Sequence, residues 1–168
     1  MSVNFVIAQI IGGVALIILM LSFQKNNKET LLRFQILSSM LYAIQYLFLN
    51  ASTGCLMNFA CMIRNVIFNK YKDRKVPTYW LGIVLALMIL LSVISYNGVI
   101  SLLPMIAVVL YSCALWNGNL KIVRIIEIIS CSLFIYYNIK VIAITGLIAT
   151  ILELFAALIA VYKFDIKK

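Results

Sequence analysis

The chain has 168 residues, is 65% hydrophobic and only 11% charged, carries a formal net charge of +9, and has a mean hydropathy of +1.10. So little charge cannot cover a water-soluble domain of this length, and a soluble enzyme does not fit. The basic residues flank apolar runs, which reads as membrane orientation and leaves no nucleic acid among the expected partners. The expectation is an all-α integral membrane protein with membrane lipid around it.

Seven apolar runs follow one another at roughly 4–23, 31–49, 55–69, 79–96, 98–116, 121–139 and 141–162. The first has no basic stretch before it and no A-x-A site after it, so it reads as a retained helix, not a signal peptide. The third is the shortest, below the ~20 residues a bilayer asks for. The linkers "QKNNKET", "NASTG", "KYKDRKVPT", "YNG", "NGNLK" and the region around Lys140 are short, so successive helices are antiparallel neighbours. Lys25, Lys28 and Arg33 flank the first linker, and Lys70, Lys72, Arg74 and Lys75 fill the third. Lys121 and Arg124 follow the fifth run, and Lys163, Lys167 and Lys168 end the chain. "NASTG" and "YNG" are uncharged, and the sixth linker has only Lys140. Seven spans put every basic linker on one side, which predicts an N-terminus outside and a C-terminus in the cytoplasm.

A shift of 92 residues aligns the chain with itself. Gly12 falls on Pro104, Gln35 on Glu127, Ser38 on Ser130, Ser39 on Cys131, Tyr42 on Phe134, Tyr46 on Asn138, Gly54 on Gly146 and Asn58 on Thr150. The predicted architecture is a 3+1+3 parallel repeat of triple-helix bundles: 1–75, a linker helix in 76–97, and 98–168.

Polar stripes on the second helix (Gln35, Ser38, Ser39, Tyr42, Gln45, Tyr46) and the sixth (Glu127, Ser130, Cys131, Phe134, Asn138) must face protein or water. They form either interhelical glue or the wall of a central cavity. Glu153 stands ~15 Å or more from either end of the seventh helix, too deep to snorkel. Arg64 on the third helix is a rise of ~4.5 Å from its level, so an Arg64–Glu153 pair is one expectation. Snorkelling of Arg64 toward Lys70, ~9 Å along the helix, is the other. Asn58, Asn65 and Asn69 make their own stripe, and Arg64 lies ~100° round from Asn65. Gly12-Gly13 and Pro104 are read as paired interruptions and hinge points, with close helix packing as the other use of the glycines. The candidate solute-binding residues are Asn58, Arg64, Asn65, Glu153, Asn138 and Tyr46. The four cysteines (Cys55, Cys61, Cys113, Cys131) sit in apolar segments without CxxC or histidine. No metal, no cofactor and no catalytic residue is expected.

"AQIIGG" near the start, "LLP" at 102–104, "AL" at 114–115, Arg124, Asn138, Gly146 and Glu153 resemble the pattern of the bacterial YgjV-like inner membrane proteins across nearly the whole chain. The layout is also similar to that of the SWEET, SemiSWEET and PQ-loop transporters. That resemblance implies a facilitator for sugars or other small solutes, with a proline hinge in the first helix of each bundle and a central site with asparagines. Pro104 matches the hinge proline, whereas Gly12-Gly13 departs from it. Asn58 or Asn65 stands where the third-helix asparagine is expected, and Thr150 and Glu153 replace its counterpart. The function expected is small-solute transport by alternating access in the inner membrane. A non-transporting scaffold or partner subunit is the alternative, and no enzyme activity is expected.

Overall fold

The computed structural model describes residues 3–23, 28–71 and 75–167. Lys25, Lys72, Asp73, Arg74 and Lys168 lie outside the described residues. Seven α-helices occur among them: α1 (Val3–Phe23), α2 (Lys28–Phe48), α3 (Ser52–Lys70), α4 (Thr78–Ile94), α5 (Leu102–Asn117), α6 (Leu120–Lys140) and α7 (Ile144–Val161). A 3-10 turn, Val99–Ser101, leads into α5, and a π-helical turn, Tyr162–Ile166, extends α7. There is no strand among the described residues.

Among the described residues, four stretches are long and apolar enough to cross a membrane: Val3–Leu21, Val99–Asn117, Lys121–Lys140 and Ile144–Ile166. Thr78–Ile94 is apolar but shorter. On α2 and α3 the polar residues are gathered on one side. Ser38, Gln45, Arg64 and Asn65 are buried, while Leu37, Met40, Leu47, Phe59 and Val66 are exposed. Apolar outside and polar inside is what hydrocarbon surroundings require.

The helices close into a ring. α1 packs on α2, α2 on α3, α3 on α5, α5 on α6, α6 on α7 and α7 back on α1, with α4 packed against α3 and α5. Several polar contacts recur 92 residues apart. Ser38 Oγ donates to the Ala15 carbonyl at 3.0 Å, and Ser130 Oγ to the Ala107 carbonyl at 3.1 Å. Asn58 Nδ2 donates to the Gly54 carbonyl, as Thr150 Oγ1 does to that of Gly146. The two hairpin turns also match. The Ala51 N–H closes on Tyr46 O and the Ala143 N–H on Asn138 O. Each turn pivots on a left-handed residue, Asn50 (φ 55) and Ile142 (φ 57).

Asparagine tolerates that conformation, but a β-branched residue does not. Ile142→Asn is therefore expected to stabilise the fold by about 1 kcal/mol, read as a higher thermal midpoint in detergent.

Three expectations need correction. The third helix is not short: it has 19 residues, because "STG" is already helical and only a tight turn precedes it. Gly12-Gly13 does not interrupt α1, which runs unbroken from Val3 to Phe23. Pro104 lies in the first turn of α5, where a missing N–H leaves no helical hydrogen bond unmade, so it breaks nothing.

Candidate functional site

The ring encloses a cavity of about 780 Å³. Its walls come from the polar faces of α2, α3, α6 and α7 and from α5. It extends to Lys75 and Val76 before α4 and to Trp116, Asn117 and Gly118 at the end of α5. At that mouth Lys75 Nζ lies 4.7 Å from the Trp116 ring centroid, and Trp116 Nε1 donates to the Val76 carbonyl at 2.8 Å.

The other end is shut. Tyr46 Oη donates to Asn138 Oδ1 at 2.5 Å, and Asn138 Nδ2 donates to Thr150 Oγ1 at 3.2 Å. Beside them Tyr137 Oη accepts from the Gly54 N–H at 2.9 Å. Gln45 Nε2 donates to Thr145 Oγ1 at 2.6 Å, and Gln9 Oε1 accepts from the Thr145 N–H at 3.2 Å. Gln45, Tyr46, Tyr137, Asn138 and Ala143 are all buried. Each hydrogen bond here replaces one that would otherwise need water.

Five of the six candidate binding residues line the cavity: Tyr46, Asn58, Arg64, Asn65 and Glu153. Asn138 is not in the wall. Both ends of its amide are engaged, Oδ1 by Tyr46 Oη and Nδ2 by Thr150 Oγ1. Gly12, Gly13 and Pro104 are also outside the wall.

Arg64 remains at depth, only 5% exposed, rather than snorkelling. Its partner is not Glu153. Nε and Nη2 donate to Asn65 Oδ1 at 3.2 and 3.0 Å, and Nη1 donates to Ser112 Oγ on α5 at 3.2 Å. The guanidinium lies 5.3 Å from the Tyr111 ring centroid. Arg64 and Asn65 thus share the cavity, because the long arginine side chain bends back to its own neighbour. Glu153 instead meets α6, its hairpin partner. One ligand atom each from Glu127, Cys131 and Glu153 lie within 4.8 Å of one another. Cys131 Sγ donates to Glu127 Oε1 at 3.7 Å.

Glu127, Tyr111 and Ser112 were not singled out as site residues from the sequence. Glu127 was within reach, since it heads the polar stripe of α6. Tyr111 and Ser112 give no signal of their own on an apolar helix. The expected absence of a metal cluster meets a grouping of two carboxylates and a thiol, three of the ligand types that hold metals.

An all-helical chain with apolar flanks and buried polar groups defines a multi-pass membrane protein. A family model described as bacterial inner membrane protein, Imp-YgjV, matches residues 6–168. The chain belongs to that family and so to the bacterial inner membrane. No curated protein and no solved structure matches it.

Proposed function

We propose that the chain is a small-solute transporter of the inner membrane that works by alternating access. In this reading all seven helices span the bilayer. Residues 1–75 and 98–168 form two triple-helix bundles of a 3+1+3 parallel repeat, with 76–97 as the linking helix. The observation that carries it is the cavity of about 780 Å³, lined at mid-depth by Asn58, Arg64, Asn65, Glu127 and Glu153, reaching one end of the ring and crossed at the other by the hydrogen bonds of Tyr46, Asn138 and Thr150. A passive scaffold has no use for a one-ended polar chamber in hydrocarbon, where unsatisfied polar groups are costly.

The recurrence of hydrogen bonds at 92 residues supports the repeat. The seal joins Tyr46 to Asn138, two positions that are themselves 92 apart. Equivalent residues meet each other at an axis, so rocking of the two bundles would part them first. The open mouth is lined by Lys75, at the end of the ring where α3 finishes at Lys70 and α6 begins with Lys121 and Arg124, and among the described residues Lys140 is the one basic residue at the shut end. By the positive-inside rule the mouth faces the cytoplasm, with the N-terminus outside and the C-terminus inside.

Two cysteines, Cys61 and Cys131, line the cavity, and Cys55 and Cys113 do not. With Cys61 kept and the other three replaced by alanine, a membrane-impermeant maleimide is expected to label inside-out vesicles at least several-fold faster than intact cells. Solute exchange in proteoliposomes completes the test. Equal labelling from both faces together with no exchange of any solute would leave the scaffold reading.

A further inference from the structure

The charges in the cavity are not matched to one another. Among the described residues no carboxylate lies within salt-bridge distance of Arg64, whose acceptors are the neutral Asn65 and Ser112. An arginine has five N–H donors. Three are engaged here, which leaves two, one on each terminal nitrogen, for a further acceptor. On the facing helices Glu127 and Glu153 converge, with no basic partner within salt-bridge distance among the described residues. Glu127 is nevertheless within electrostatic reach of Arg64.

A further group is unsatisfied at this place. Tyr42 is 8% exposed, lines the cavity and has a hydroxyl without a hydrogen-bond partner. It is within electrostatic reach of Glu153. A buried hydroxyl without a partner costs free energy and calls for an explanation.

We infer that the cavity binds a small zwitterion, an α-amino acid with a neutral side chain, holding its ammonium between Glu127 and Glu153 and its carboxylate on Arg64. This deepens the transport reading, and the movement of the solute rests on that reading. A carboxylate takes the two free donors of Arg64 in charge-assisted hydrogen bonds. An ammonium brings three donors to the converging carboxylates. A neutral sugar leaves both sets of charges unmatched, and buried unmatched charge is costly. A simple amine leaves Arg64 without its anion, and a simple acid leaves the carboxylate pair without its cation. A divalent cation would sit in the field of Arg64. The side chain has room among Tyr46, Tyr111 and Phe134.

The test uses the full chain in detergent and in proteoliposomes. Alanine, serine, leucine and phenylalanine are screened by thermal midpoint, and the best binder is compared with its two halves. For leucine these are 3-methylbutylamine and 4-methylpentanoate, with glucose and manganese(II) alongside. The expected result is saturable stabilisation by the amino acid, with an apparent Kd at least tenfold below that of either half. Arg64→Lys and Glu153→Gln should each weaken amino-acid binding at least tenfold. Glu153→Gln should also erase the preference for the amino acid over the bare acid, a change that loose folding would not produce.

Equal or better stabilisation by glucose, manganese or either half would overturn the inference, as would no stabilisation by any of the four amino acids. Counterflow of the same labelled solutes separates the two claims. Binding of the amino acid without exchange keeps the site and removes transport. Exchange of glucose without amino-acid binding keeps transport and removes the zwitterion.

Discussion

Asn138→Leu is expected to cost on the order of 2–3 kcal/mol and to loosen the shut end of the cavity. The substitution keeps the branched outline but removes the acceptor of Tyr46 Oη and the donor to Thr150 Oγ1. Thr150 keeps its bond to the Gly146 carbonyl at 2.8 Å. Tyr46 keeps nothing, and its hydroxyl is left in a place that is 3% exposed. A buried polar group with no partner costs more than the original bond contributed. Tyr46→Phe alone is expected to be milder, about 1 kcal/mol, because the Asn138 amide retains Thr150. The double variant removes both partners and should recover part of the loss. A coupling energy of about 1–2 kcal/mol from the four thermal midpoints is the expected outcome, and additivity would show that the bond holds nothing. The functional readout runs in parallel. In the Asn138→Leu variant maleimide labelling of Cys61 from the far face should rise, because the shut state has lost its fastening.

The run of helices was legible because hydrocarbon surroundings leave a long apolar signature. Each predicted run falls on an observed helix, with every end within four residues. The 92-residue shift sets Tyr46 over Asn138, and those two residues touch. It also aligned Asn58 with Thr150, which make the same backbone contact. Partners of charged groups were not legible. The expected Arg64–Glu153 pair rested on axial rise alone, which ignores direction around the helix. Around the helix, Glu153 faces its hairpin neighbour α6, and Arg64 finds neutral oxygens closer than any carboxylate. The Gly12-Gly13 pair was ambiguous for a related reason. A glycine that lets a backbone bend and a glycine that lets another chain come close are the same letter.

Gly12→Ala and Gly13→Ala, one residue apart, are expected to act in opposite directions. A Cβ on Gly12 would overlap Thr145 Oγ1 and the side-chain amide of Gln45. Those atoms are joined to each other at 2.6 Å, and Thr145 also holds Gln9. The added methyl must push α1 away from α7 and α2, or part these bonds. Overpacking of this kind costs about 1–3 kcal/mol, and each lost hydrogen bond adds about 1. The better helix propensity of alanine returns at most ~1 kcal/mol, so a net loss of about 2–3 kcal/mol is expected. A Cβ on Gly13 meets nothing within 4 Å. That variant gains the propensity term and should melt slightly higher, by up to ~1 kcal/mol. Thermal midpoints in detergent decide the sign of each. Solute exchange decides what the pair is for. If Gly12 serves approach and Gly13 serves nothing in particular, Gly13→Ala keeps its exchange rate. A stabilised Gly13→Ala protein that no longer exchanges would return the hinge to this position, since only lost backbone freedom could then account for it.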